Sequence, residues 1–347
     1  MNTTPTTFDT SLPAYTAVGG KARLASTGLS AVLLNRGGGF SRRQLFETFE
    51  KTGFDYVLSM ESVPERYDLE ELSLRFPFVR FILIPRGLSP GEQINLGARE
   101  LSSPLFFVLW NDLKLVTGGE AGRMVERLCL SQEELDEAGA KAKEQGKQEP
   151  PSRFRRLCTV PGILNNRFET HPTLIAPVLY RRNVRTLAFV PRREGLPSLY
   201  PFDGVGIYDR ERFINLGGYD SRITNPHWQL MDFGFRAFLW GEEIRVTQYI
   251  KLFCEGPVPV SDSTVDAGYR RFYLKNIAPM FRSDHARLPW RRFPAYLSSS
   301  GWDMVGAWGE FSEAGRWVRD NASKWHCDAR TLNERWEKVD FDAEDSP

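Results

Sequence analysis

Two stretches of the sequence hold the residues best suited to chemistry. In the first, the apolar run 105–109 leads into Trp110-Asn111-Asp112. A carboxylate just past a buried strand faces the crevice in which open α/β sheets bind ligands, and its hard oxygens suit a divalent cation such as Mn2+ or Mg2+. Such a cation bridges diphosphate oxygens and absorbs the charge that develops on a nucleotide leaving group. A solvated turn aspartate that caps the next element has the same signature. In the second stretch, residues 208–220 end in Leu216-Gly217-Gly218-Tyr219-Asp220. The glycine pair lets backbone approach a ligand with no side chain between them, and it equally suits a helix C-cap.

Further candidates surround these. Asp232 and Arg236 lie one helical turn apart, where they can pair as i and i+4. Asp203, in Pro201-Phe202-Asp203-Gly204, can reach the same pocket or simply form a turn. As carboxylates that can take a proton from a bound hydroxyl, Asp232 and Asp203 are the two candidates for a general base. Arg86 and Asn95 offer a cation and an amide to the diphosphate and ribose side of an anion pocket. The loop Asn35-Arg36-Gly37-Gly38-Gly39 looks like a phosphate cradle but lacks the Lys-Ser/Thr ending of a P-loop, so Asn35 is read as bordering the base.

The elements that must position these residues alternate. Ser30 to Leu34 is an apolar strand, and Ser41 can cap a helix that runs to Lys51. Strands follow at 55–59, 79–84 and 105–109, with helices at 69–74 and from Pro90 to Glu100. Nearly all-apolar strands between helices predict a mostly parallel central sheet covered on both faces. Ligands then bind in the loops after Leu34, Ser59, Ile84 and Leu109. Residues 1–27 read as a disordered tail and 28–255 as the α/β domain. Within that domain 117–155 is a charged helical insertion and linker, and 256–347 is a Trp- and Arg-rich helical C-terminal region.

Taken together, the strand, the Asn95-Leu96-Gly97 helix, the acidic turn at Asp112 and the Leu-Gly-Gly-Tyr-Asp run resemble family 2 glycosyltransferases of the GT-A fold. His227 to Val246 looks like that family's Glu-Asp-x-Asp-Leu-x-x-Arg helix followed by glycine and a strand, with Asp232 and Arg236 matching. The resemblance covers about residues 28–250. It implies that Gly217 and Gly218 line the donor-sugar and acceptor side of the pocket, that Glu61 contacts the nucleoside, and that His285 is a late metal ligand beside Asp112. The sequence departs from the family at the chemistry itself. Trp110 replaces the first Asp of Asp-x-Asp, and Gln229-Leu230 replace the Glu-Asp pair whose second member is the usual base.

Bulk properties narrow the rest. Of 347 residues, 45 are basic and 44 acidic, so no overall field favours nucleic acid. No apolar stretch approaches the roughly 20 residues that cross a bilayer, and the four cysteines are dispersed, which predicts free thiols and a cytoplasmic protein. The expected function is transfer of a sugar from a nucleotide-diphospho-sugar to a glycan, lipid or protein acceptor, with inversion. The alternative is a catalytically degenerate member that binds a sugar or a protein. A nucleotidyltransferase or dinucleotide-dependent oxidoreductase is disfavoured by the lack of Gly-x-Gly-x-x-Gly after the first strand.

Overall fold

A computed structural model describes residues 14–36, 40–62, 69–84, 87–144, 153–180, 183–257, 262–299, 303–339 and 341. From β2 to β5 the first half follows the anticipated alternation, and β1 and β6 lie outside it: β1 (Thr16–Gly19), β2 (Leu29–Leu34), α1 (Arg42–Thr52), β3 (Val57–Ser62), α2 (Leu69–Arg75), β4 (Val79–Ile84), α3 (Pro90–Glu100), β5 (Leu105–Trp110) and β6 (Leu113–Thr117). Next come α4 (Ala121–Leu128), α5 (Gln132–Glu144), β7 (Cys158–Leu164), β8 (Leu174–Tyr180), β9 (Asn183–Phe189), β10 (Gly206–Asp209), α6 (Arg210–Leu216), α7 (Pro226–Leu239) and β11 (Ile244–Cys254). The C-terminal region holds α8 (Ala267–Phe272), β12 (Met280–Arg282), β13 (His285–Arg287), α9 (Phe293–Ser299), α10 (Met304–Asp320) and α11 (Ala329–Trp336).

Nine strands form one sheet in the order β1-β4-β3-β2-β5-β10-β7-β11-β6. Strands β4, β3, β2 and β5 are mutually parallel. Strand β10 enters antiparallel between β5 and β7, and β11 then runs parallel to β7. The fold is α/β with a mostly parallel central sheet flanked by helices: β2, β3, β4, β5, β7 and β11 share one direction. Strands β2 and β5 are buried along their whole lengths, as a sheet covered on both faces requires. Strand β1, antiparallel to β4 at the sheet edge, lies where the sequence suggested a disordered tail. A four-residue strand carries too little periodicity to be read, and its pairing comes from an available sheet edge.

Local signals explain the helices that frame the site. Ser41 accepts from the Gln44 amide to start α1, and Gly53 closes it in the left-handed region at φ 77°. Ser89 and Glu92 form a capping box with Pro90 in the first turn of α3. Asn225 caps α7 by accepting from the His227 and Trp228 amides, with Pro226 in the first turn. Helix α7 lies against the chain at Leu199–Tyr200 so closely that a Cβ on Gly234 would sit 2.2 Å from the Leu199 carbonyl oxygen. Backbone cannot yield as a side chain can. Gly234→Ala is therefore expected to lower unfolding free energy by about 1–3 kcal/mol, the usual range for overpacking, read by urea denaturation.

The C-terminal region packs onto the same core. Trp228 of α7 stacks on Phe272 of α8, and Trp325 and Trp336 are buried in the main core. No helix among the described residues is long and apolar enough to cross a membrane.

Candidate functional site

At the carboxyl ends of β2 and β5 the chain brings together Arg36, Trp110, Asp112 and Asp203. The two strands are in register, with Leu34 beside Trp110, so the residues that follow them emerge side by side. The Arg36 guanidinium meets Asp112 through two parallel bonds, Nε to Oδ2 at 2.7 Å and Nη2 to Oδ1 at 2.9 Å. Its Nη1 donates to Asp203 Oδ2 at 2.5 Å. The guanidinium also lies 4.5 Å from the centroid of the Trp110 ring, and the indole Nε1 donates to the Asp203 carbonyl at 3.0 Å. Trp110 thus forms a cation–π platform for Arg36 and anchors the loop that carries Asp203.

Asp203 sits in a 3-10 turn, Phe202–Gly204, at φ 54°, a left-handed conformation that asparagine and aspartate tolerate best. Burial pushes its carboxyl up to about 6 against the counter-effect of Arg36, with the neighbouring Asp112 charge adding to the rise. The side chains of Arg36, Asp112 and Asp203 all remain partly open to solvent, at 24%, 16% and 22%. A ligand can reach all three.

The other candidates are consumed by the scaffold. Asp232 is fully buried and accepts from Arg236 Nη2 at 2.8 Å and Asn276 Nδ2 at 2.8 Å, with Lys275 Nζ at 2.9 Å. Burial alone would raise its carboxyl, but Lys275 and Arg236 outweigh that and hold it below the ordinary range. It is sealed from solvent. Arg236 also donates to the carbonyls of Leu216 and Gly218, so Gly217, at φ 93°, and Gly218 form a helix C-cap pinned from beneath. Asn95 exchanges two bonds with the Tyr219 backbone, at 2.7 and 2.8 Å, and fixes that turn against α3. Gln229 accepts from the Gly91 amide and donates to Ser89, which ties α7 to the start of α3, and Leu230 packs on the core.

Glu61 is 1% exposed and paired to Arg42 and Ser59 inside the sheet. Asn35 donates to the Met60 carbonyl, bracing the loop that carries Arg36. Arg86 lies outside the described residues. His285 is exposed at the turn of the β12–β13 hairpin, bonded to its neighbour Asp284 at 2.8 Å.

A divalent cation at Asp112 would need carboxylate oxygens free to coordinate it. Both oxygens of Asp112 accept from Arg36, and Trp110 offers none. Among the described residues no group of three or more His, Cys, Asp or Glu side chains is arranged to hold a metal ion. The residues present do not fit a resident Mn2+ or Mg2+; the guanidinium supplies positive charge at that place instead. Arg36 itself was missed in the sequence because it was read as part of a glycine loop. Its position one residue after Asn35, at the carboxyl end of a fully buried strand, was the available signal.

No protein-family model matches the chain, and no curated protein matches it. Solved structures do. GalNAc-T7, crystallised with UDP, GalNAc and Mn2+, superposes over 90% of this chain with a TM-score of 0.55 at 13% identity. This chain spans 56% of that protein's length. Staphylococcus aureus TarS, residues 1–349 with UDP-GlcNAc, aligns over 71% of this chain and 64% of its own at 12% identity, with a looser TM-score of 0.43. The match to GalNAc-T7, a GT-A glycosyltransferase, agrees with the strand order and the parallel half-sheet described above: the chain has the GT-A fold.

Proposed function

We propose that the chain transfers a sugar from a nucleotide-diphospho-sugar to an acceptor hydroxyl, with inversion, and that Arg36 takes the place of a divalent cation in neutralising the donor diphosphate. The observation that carries this reading is the Arg36–Asp112–Asp203 cluster at the carboxyl ends of β2 and β5. A planar guanidinium with donors in a fixed fork matches phosphate oxygens as well as carboxylates. A diphosphate arriving there competes with the two aspartates for donors already aimed into the crevice. Charge that grows on the leaving diphosphate is then met by the guanidinium N–H groups that the aspartates leave free or release, which is the electrostatic stabilisation such a transfer needs. The four cysteines are free thiols, which supports a reducing, cytoplasmic setting.

Asp203 is the carboxylate this reading assigns as base. It is solvent-reachable, whereas Asp232 and Glu61 are sealed, and its raised pKa keeps it both ionised and basic near neutrality. With a carboxyl pushed up to about 6, turnover should climb roughly tenfold from pH 5 to pH 7 and level off above, as a base that must be unprotonated requires. Asp203→Asn should flatten that rise. A pH–rate profile unchanged by the substitution would remove Asp203 from the role.

A second reading, a non-catalytic binder of nucleotide sugars, is favoured by one observation: the family's base position is Leu230, packed on the core. A thermal-shift and turnover screen with UDP-, GDP- and TDP-sugars separates the outcomes, since a ligand that binds only the native state raises apparent stability. Stabilisation with turnover supports transfer, and stabilisation alone supports the binder. Neither response with any nucleotide sugar overturns both.

A further inference from the structure

The C-terminal region contains a cavity of about 530 Å3 that the transfer chemistry does not use. It lies between the β12–β13 hairpin and one face of α10. Arg287 and His285 line it from the hairpin, Arg316 and Arg319 from the helix, and Trp290 and Trp308 form one wall. The two indoles are 54% and 52% exposed, which is high for residues of this size. They are nonetheless held firmly: their centroids are 4.9 Å apart, and both rest on Phe293, with Trp290 stacked on the buried Phe311 at 5.3 Å. They make a rigid platform with open faces.

The charge of this cavity is one-sided. No aspartate or glutamate lines it, and among the described residues Arg287, Arg316 and Arg319 have no ion-pair partner. Of the three acidic side chains of α10, Glu310 is engaged with Arg270 and Tyr296 and Glu313 with Arg222 and Arg271, while Asp320, the exposed last residue of the helix, does not line the cavity. Arg316 and Arg319 are three residues apart on one helix face, so their guanidinium groups project together. The floor is kept open by Gly315, where an added Cβ would reach only as far as Leu288, at 3.9 Å.

We infer that this cavity is a binding site for an anionic saccharide. A pyranose ring presents a flat apolar face to an indole, and Arg donors meet the hydroxyls and the charged substituent, whether carboxylate or sulfate. The side chains lining the cavity offer many donors and few acceptors, which suits hydroxyl- and anion-bearing rings better than a nucleobase edge that demands both. Sugar recognition here is separate from donor binding and does not depend on the transfer reading.

The test uses the full chain without nucleotide sugar, titrated by calorimetry and indole fluorescence with a galacturonate hexamer, a sulfated heparin hexasaccharide and neutral maltohexaose. Phosphatidylcholine vesicles with and without phosphatidylglycerol form a separate arm. At least one charged hexasaccharide should bind ten or more times tighter than maltohexaose. Trp308→Ala, Gly315→Leu and the double variant Arg316→Gln/Arg319→Gln should each weaken it at least tenfold. Gly315→Leu is the informative variant, because it fills the floor without altering charge or rings and improves helix propensity. Thermal unfolding checks that each variant folds; the folded ones decide. Binding that falls only in the arginine variant would reduce the effect to ion exchange and overturn the inference. So would binding to anionic vesicles with no saccharide bound.

Discussion

Arg36→Ala is expected to weaken binding of the cognate nucleotide-diphospho-sugar by about 100-fold and to reduce turnover by a further factor of about 100, the scale on which single charge-stabilising donors act. Wild-type binding should be indifferent to EDTA and to added Mn2+. The variant should behave in the opposite way. Removing the guanidinium leaves Asp112 and Asp203 facing one crevice with no cation between them, a pair of carboxylates that can accept a divalent ion. Mn2+ should therefore restore part of the binding in Arg36→Ala and none in Arg36→Lys, whose ammonium keeps the charge but loses the bidentate fork. Calorimetric titration of the three proteins, each with EDTA and with Mn2+, reads all of these outcomes. Loss of wild-type binding in EDTA would return the site to a metal-dependent mechanism.

This result would also give Trp110 a role. By the family resemblance alone, a tryptophan at that place reads as the loss of an acidic metal ligand. Its ring lies under Arg36, and its N–H holds the loop of Asp203. The two positions are 74 residues apart in sequence, and only the register of β2 against β5 brings them together. That is why the sequence does not reveal the pairing of Trp110 with Arg36. The parallel strands and the caps at Ser41 and Ser89 were legible, because apolar runs and capping residues act locally. Strand β10, which separates β5 from β7, has four residues and no distinctive pattern. Its place is set by pairing on both sides, and sequence periodicity carries no information about that.

The same limit governed the acidic residues. Asp232, Glu61 and Asp203 are all carboxylates, in a helix, a strand and a turn, and nothing in their spacing ranks them. Burial ranks them at once, because a carboxylate sealed among cations serves packing, while one at a solvent boundary can exchange a proton.

Asp232→Ala is accordingly expected to cost about 3–5 kcal/mol of folding stability, the range for breaking a buried ion pair from one side. Asp232 joins two parts of the chain: its own helix α7, through Arg236 one turn along, and the π-helical turn Tyr273–Ile277 that follows α8, through Lys275 and Asn276. Lys275 is also shared with Asp220, which Arg271 binds in turn. Loss of the carboxylate leaves two buried cations with less compensation, although Arg236 keeps the Leu216 and Gly218 carbonyls. Because the folded-state carboxyl is held below its ordinary value, this stabilisation is fully present above about pH 4, the unfolded-state range, and is lost as pH falls towards the depressed folded-state value. Urea denaturation at pH 7 and at pH 3 should therefore show a smaller gap between wild type and Asp232→Ala at the lower pH. Asp232→Asn, which can still accept from Asn276, should fall between them in stability. At a temperature where it remains folded, its turnover should stay near wild type. A variant of full stability without turnover would mean that Asp232 reaches the acceptor after all, and that the C-terminal turn covering it opens during the reaction.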